Sequence, residues 1–419
     1  MDILLALAAG ALIVLVVANL SSSAKKIEHE IEHLYRAGDP QFVRSMGSLL
    51  GPGIVPGNTV RALCNGREIF PAMLEAIRGA QRTICFETFI YWSGSIGREF
   101  AEALAERARA GVRVHVVLDW VGSKRMDAEL LEAMTRAGAE VVKFHPLRWY
   151  SLGRLNNRTH RKLLIVDGRV GFTGGVGIAD NWLGDAEDPE HWRDSHFRLE
   201  GPAVAQMQAA FMDNWMETCA EVLHGEEYFP ALEPRGSHAA QVFKSSADDA
   251  SESVRLMYLL SISSAVRSVR IANAYFVPDS LAVASLVGAR ERGVTVEIIV
   301  PSRHIDTALV RRASRALWGP LLEAGVAIYE YQPTMYHVKV VIVDEVWTSV
   351  GSTNFDNRSF RLNDEANLNV LDGEFAAGQA DVFEQDKAKS RRITLEEWRR
   401  RPWRERAVER LASLLRLQL

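Results

Sequence analysis

The sequence predicts an α/β protein of two tandem domains, each a sheet flanked by helices, related by pseudo-twofold symmetry and preceded by an N-terminal transmembrane helix. Three observations predict it: an internal duplication, short β-branched runs that alternate with amphipathic helices, and one long uncharged apolar segment at the N-terminus. The 419 residues, 47% hydrophobic and 24% charged, suffice for two or three cores.

The apolar segment comes first. Ile3 to Leu20 carries no charge, and Asn19 is its only polar side chain. At about 1.5 Å per residue it covers about 27 Å, close to the thickness of a hydrocarbon core. It opens with Met1-Asp2 rather than a basic stretch and outruns the apolar part of a signal peptide, so an uncleaved anchor is expected over residues 1–22. Lys25 and Lys26 follow, which puts the body on the cytoplasmic side. Residues 23–58 read as a juxtamembrane segment.

The duplication runs through the rest. In the first half a helix (Phe70 to Ala80) leads to an apolar strand (Thr83 to Tyr91), a helix (Phe100 to Ala110), a turn at Gly111 and a strand (Val112 to Leu118). The second half repeats the order with a helix near Val254 to Val266, a strand Val269 to Phe276, a helix Leu281 to Arg292, a turn at Gly293 and a strand Val294 to Val300. Each half then has a helix closed by glycine, Gly138 or Gly325, and a further strand, Glu140 to Phe144 or Val326 to Tyr331. This places domains at 59–224 and 245–387, joined by a Gly-, Pro-, Glu- and Ser-rich linker at 225–244. Residues 388–419 form a basic amphipathic tail: from Lys387 to Arg416 there are eleven Lys or Arg against four Glu, with Trp398 and Trp403 among them. Two readings of the tail stand, a helix on an anionic membrane surface or a charged helix packing Leu411, Leu414 and Leu415 on the body.

The net charge of −4 argues against a globally basic nucleic-acid binder, and no nucleic-acid partner is expected. Three cysteines, Cys64, Cys85 and Cys219, include no C-x-x-C pair, which suits a reducing compartment and offers no thiolate metal site.

Each half carries one constellation at the same point of its repeat. The first has His160, Lys162 and Asp167, then Gly174-Gly175; the second has His337, Lys339 and Asp344, then Gly351-Ser352-Thr353-Asn354. Both fit H-x-K-x-x-x-x-D, with the glycine seven positions after the aspartate. A His and a Lys two apart on a strand share a face, and the apolar runs Leu163 to Val166 and Val340 to Val343 would hold them rigidly. The aspartates fall at the strand ends, and the glycine pairs leave room for backbone and small donors to approach an oxyanion. Two such sets in register point to one shared site on a pseudo-twofold axis. Its chemistry is phosphodiester transfer, in which a neutral imidazole attacks phosphorus, a protonated one donates to the leaving alcohol and two lysines stabilise charge.

These paired motifs resemble those of the phospholipase D superfamily, over about residues 59 to 387. The stretch Asn354 to Glu365, with Tyr275-Phe-Val-Pro-Asp279 and Trp192-Arg-Asp194, is similar to bacterial cardiolipin synthases in particular. The resemblance implies two α/β domains with the site between them and no metal or other cofactor. It implies His160 as nucleophile, His337 as general acid–base, and an acidic residue some thirty positions after each histidine, Asp194 and Glu365, orienting the imidazoles. Gly174, Gly175, Ser352 and Asn354 would support or bind substrate. The implied activity is transfer of a phosphatidyl group between two phosphatidylglycerol molecules with release of glycerol, in a single-pass protein of the bacterial inner membrane; a phospholipase D-type hydrolase, a nuclease-type phosphodiesterase and a catalytically inactive membrane scaffold are the alternatives. One position departs from the family: where Asn354 stands in the second half, the first has Gly177.

Other signals are set aside. His29-Glu30-Ile-Glu-His33 fits H-E-x-x-H but lies outside both repeats without a third ligand, so a zinc site is not expected. His191 and His196 flank Asp194 and read as residues of the site rim. Gly174-Gly175 lacks the lysine of a nucleotide-binding loop.

Overall fold

The computed structural model describes residue 10 and residues 27–147, 156–246, 252–416 and 418. The expected anchor, residues 1–22, lies outside the described residues but for Gly10. Among the described residues no helix is long and apolar enough to cross a membrane.

The first half contributes strands β1 (Val55–Cys64), β2 (Thr83–Thr88), β3 (Arg113–Asp119), β4 (Glu140–Phe144), β5 (Leu163–Val166), β6 (Val170–Gly174) and β7 (Ser195–Glu200). The second repeats them as β8 (His238–Ser245), β9 (Ser268–Asn273), β10 (Thr295–Pro301), β11 (Ala327–Tyr331), β12 (Lys339–Val343), β13 (Trp347–Gly351) and β14 (Asn363–Leu371), and adds an edge strand, β15 (Ser390–Ile393). All join one sheet in the order β15-β11-β10-β9-β12-β13-β14-β8-β1-β7-β6-β5-β2-β3-β4. Setting β15 aside, the order reads the same from either end, with β8 and β1 meeting antiparallel at the centre. In each half three parallel strands at the outside give way to antiparallel strands inside. The parallel strands need crossovers, and helices such as Ser95–Arg109 and Ser280–Glu291 supply them.

Helices cover both faces, as a buried sheet requires. Helices Val204–Cys219 and Gly373–Ala388, one from each half, line a single core in which Phe211 and Trp215 share a cluster with Leu368 and Phe383. The other face carries a separate core for each half.

Several elements differ from the sequence reading. The strands expected to reach Tyr91 and Phe276 stop at Thr88 and Asn273, where the chain leaves the sheet. The segment read as a linker, 225–244, runs into β8, a central strand. The segment read as juxtamembrane contains a helix, Pro40–Leu50, started by the Asp39 side chain accepting from the Gln41 N–H at 2.7 Å. Its Phe42 ring meets Trp347 edge-on at 5.1 Å inside the second half's core. The tail begins as β15, and Trp398 packs against Gly319 and donates to the Arg315 carbonyl. In its last helix, Trp403–Ser413, Ala412 is buried, whereas Leu411 and the following Leu414 and Leu415 stay exposed.

Candidate active site

Each histidine is delivered by a short segment that crosses to the other half. Arg158–Thr159 runs parallel to the start of β14, and the His160 N–H donates to the Asp364 carbonyl at 2.8 Å. Tyr336 pairs in parallel with Arg193, and the His337 N–H donates to the Arg193 carbonyl at 2.8 Å. The residues that follow Asp364 and Arg193 are Glu365 and Asp194. The crossing therefore sets each imidazole against the carboxylate of the opposite half. His160 Nδ1 lies 3.0 Å from both Glu365 oxygens, and His337 Nδ1 lies 2.7 Å from Asp194 Oδ2. The family resemblance implies both carboxylates, some thirty positions after each histidine; the structure pairs each with the histidine of the other half.

A carboxylate at Nδ1 assigns the proton to that nitrogen and leaves the Nε2 lone pair free. Both carboxylates are fully buried and well held. Glu365 accepts from the Ser352 and Ser359 hydroxyls at 2.5 and 2.7 Å, and Asp194 from the Trp182 indole N–H at 3.0 Å and the Ser195 N–H at 2.8 Å. Burial alone would raise both carboxyl groups, but the facing histidines hold Glu365 and Asp194 below the usual carboxylate range. Burial drives His160 down to about 4, outweighing the pull of Glu365, so at neutral pH it is an uncharged imidazole. His337 is lowered by burial and by the Lys339 ammonium.

The lysines close the cluster. Lys162 Nζ donates to the His160 carbonyl and Lys339 Nζ to the His337 carbonyl, each at 2.8 Å, and Lys339 Nζ also lies 3.3 and 3.4 Å from the two ring nitrogens of His337. Burial lowers both, Lys162 to about 7, with the two ammonium groups opposing each other. Two cations buried side by side favour an anion between them. Aromatic rings box the imidazoles: Phe89 sits 5.3 Å from His160, and Trp182 and Trp192 lie 5.3 and 5.5 Å from His337.

Asp167 and Asp344, expected among the catalytic groups, stand elsewhere. Each follows its strand in a left-handed turn, with φ of 53° and 54°, five residues of extended chain beyond its lysine. That separation is about 16 Å. Asp167 accepts from the backbone N–H groups of Gln81, Arg82 and Thr83, and Asp344 from those of Val266, Arg267 and Ser268. These aspartates fasten the strand end to the start of β2 and β9, which is a structural duty.

The glycine pairs also need a different reason from the one expected. A Cβ on Gly175 would sit 2.2 Å from Asp194 Oδ1, and one on Gly174 would sit 2.6 Å from the His196 backbone. They admit the orienting carboxylate and its strand. At the position matching Gly175, Ser352 instead donates to Glu365. Asn354 keeps a place on the site: it lines the central cavity, and its buried Oδ1 makes no hydrogen bond within the protein. At Gly177 a Cβ would come within 2.8 Å of the Ile90 Cβ, so an apolar side chain fills the space in the first half.

The cavity holds about 760 Å³ and is lined by His160, Asn354, Phe89, Trp192, Tyr275 and Arg358, among others. Sequence reasoning missed Ser359, Trp182 and the arginines Arg158 and Arg358; a hydroxyl or indole reaching a carboxylate from another element leaves no spacing signal. His196 is buried in β7 rather than on the rim, and burial lowers it to about 3. His29 and His33 lie in irregular chain, where H-E-x-x-H cannot present both rings on a helix face.

A family described as "Cardiolipin synthase, PLD-like domain" matches residues 73–215 and 258–387. The chain is 35% identical to cardiolipin synthase 2 of Bacillus anthracis over 85% of its own length and 70% of that protein. It is 34% identical to the major cardiolipin synthase of Bacillus subtilis, over 85% and 75% of the two chains. Likewise it is 34% identical to cardiolipin synthase A of Pseudomonas fluorescens, over 89% and 78%. Among solved structures, its fold is similar to a phosphatidylserine synthase of Haemophilus influenzae, with a TM-score of 0.68 at 14% identity over 90% of this chain and all of that one.

Proposed function

The chain belongs to the cardiolipin synthase family of the phospholipase D superfamily, and from that premise we propose that it moves a phosphatidyl group between two phosphatidylglycerol molecules and releases glycerol. The observation that carries this reading is the crossed pair of histidine–carboxylate contacts, which gives one cleft two imidazoles with differently held surroundings.

In the proposed sequence, the donor phosphate enters between Lys162 and Lys339, with Asn354 as a further donor. His160 Nε2 attacks phosphorus, and the bond to the glycerol headgroup oxygen breaks as His337 gives that oxygen a proton. This leaves a phosphatidyl-histidine and a neutral His337. A hydroxyl of the second phosphatidylglycerol passes its proton to His337 and attacks phosphorus, and the P–Nε2 bond breaks. Atoms and protons return to their starting state. The charge of the phosphate anion favours the protonated form of His337, which burial otherwise disfavours. The lysines act by preorganised charge, usually the largest catalytic contribution.

We further place the protein at a bacterial inner membrane, single-pass through residues 3–20 with the body cytoplasmic. The apolar N-terminal sequence supports this. So does the tail, whose Trp403 and Leu414 are each 73% exposed amid arginines, a pattern suited to an anionic surface. The test is incubation with phosphatidylglycerol vesicles in EDTA. Cardiolipin and glycerol in equal amounts, lost in His160→Ala, support the reading; phosphatidic acid alone would make the chain a hydrolase.

A further inference from the structure

A second cluster of charge lines the same cavity. Arg158 comes from the first half and Arg358 from the second. Arg158, only 3% exposed, donates from Nη2 to the His145 carbonyl at 3.0 Å and lies 3.6 Å from Asp119. Arg358 donates from Nη1 and Nη2 to the side chain and carbonyl of Asn156, both at 3.0 Å. Both guanidinium groups are thus fixed in place on the wall. Burial lowers the pKa of each, opposed by Asp119 and Asp364 at Arg158 and by Asp356 at Arg358, and the Arg158 cation adds to the lowering at Arg358. Cations held together away from bulk water are stabilised by an arriving anion, and guanidinium is suited to a phosphodiester.

The reacting phosphate already has Lys162, Lys339 and Asn354. The proposed transfer, however, brings two phosphates into the cleft, and only one of them changes its bonds. In the product they are separated by a single glycerol. Arg158 stands two residues of extended chain from His160, about 7 Å, on the scale of that three-carbon bridge.

We propose that Arg158 and Arg358 form the subsite for the phosphodiester of the acceptor phospholipid, the phosphate that does not react. This rests on the transfer reading above. The subsite places the acceptor's free headgroup hydroxyl over the phosphatidyl-histidine, and it favours a phospholipid over water or a neutral alcohol as acceptor.

The test compares two reactions of the full chain in phosphatidylglycerol vesicles. Cardiolipin formation needs a phosphate-bearing acceptor, whereas exchange of isotope-labelled glycerol into phosphatidylglycerol does not. Arg358→Gln is expected to lower the ratio of cardiolipin formation to glycerol exchange about 10- to 100-fold, the worth of charge-assisted hydrogen bonds. Exchange then also reports that the variant is folded. A proportional loss of both reactions in a variant of unchanged Tm, or no loss of either, overturns the subsite. If Arg358→Gln does not fold, Arg358→Lys carries the comparison under the same criteria. Failure of the wild-type chain to perform either reaction would instead overturn the transfer reading.

Discussion

His160 and Glu365 lie 205 positions apart yet share a hydrogen bond, and so do His337 and Asp194 at 143. Because the pairs are crossed, the two carboxylates act through different imidazoles, Glu365 through the nucleophile and Asp194 through the proton donor. Glu365→Gln should slow formation of the phosphatidyl-enzyme on the order of 10²–10⁴-fold, the range for a carboxylate that holds a catalytic imidazole. Asp194→Asn should weaken the proton-transfer partner instead, and rapid-quench trapping of labelled enzyme separates the effects. Asp194→Asn is expected to change the release of glycerol and the turnover of trapped enzyme more than the binding of lipid; equal effects of both variants on every step would contradict the crossing. The pH dependence follows from signs. His160 acts uncharged and is lowered to about 4, so kcat/KM should hold on the acid side well below the ordinary histidine range and fall only toward pH 4. Two groups act protonated, His337 as donor and Lys162 as cation; burial lowers His337 below the ordinary histidine range and Lys162 to about 7, so kcat/KM should fall with rising pH, beginning below neutrality and continuing through about 7. A bound phosphate raises the lysine, so the alkaline limb of kcat should lie higher than that of kcat/KM. The histidines and lysines were legible because their spacing repeats; the two orienting acids, 34 and 28 positions after the histidines, came only with the family resemblance. The hydroxyls of Ser352 and Ser359 on Glu365 were not, since any small residue fits that spacing.

The elements carry the motif's remaining letters. Asp167 closes the turn after β5 by accepting three backbone N–H groups at the start of β2, and Asp344 does the same at β9. Asp167→Ala should therefore cost about 1–3 kcal/mol of stability, the penalty for stranded donors, with kcat of the folded protein little changed. Denaturant unfolding beside initial rates checks this, and a stable but inactive variant would return Asp167 to the chemistry. Gly177 is a second such case. Restoring the family's asparagine drives a side chain into Ile90, so Gly177→Asn should destabilise by about 1–3 kcal/mol through overpacking. Adding Ile90→Ala should relieve that cost, which a double-mutant cycle measures; additive losses would mean the two do not touch. Strands and crossover helices were legible from period and glycine stops. Strand β8 was not, because His238 to Ser245 follows a Pro- and Gly-rich stretch and carries polar residues that pair only inside the assembled sheet.

Among the described residues β1 to β15 form one sheet about a pseudo-twofold seam, and the site draws its groups from both halves. The duplication made that legible: two incomplete sets of groups imply one complete set. The crossing was not legible, because it depends on which edge each short segment meets after leaving its strand. Helix Pro40–Leu50 was also missed, since its Phe42 finds its partner Trp347 some 300 positions away. At this scale the exposed Trp403 and Leu414 should matter for membrane contact and not for folding. Replacing both by Ser should weaken binding to phosphatidylglycerol vesicles in a sedimentation assay and leave the Tm within a degree or two; unchanged binding would assign the tail to the body alone.

The most direct test of the central claim is intact-protein mass measurement of the chain quenched during turnover on phosphatidylglycerol vesicles, with the adduct mapped by peptide. A phosphatidyl group is expected on His160 that disappears as cardiolipin forms, with no adduct and no cardiolipin in His160→Ala. Cardiolipin made by His160→Ala, or an adduct on His337 in the native chain, would contradict the claim.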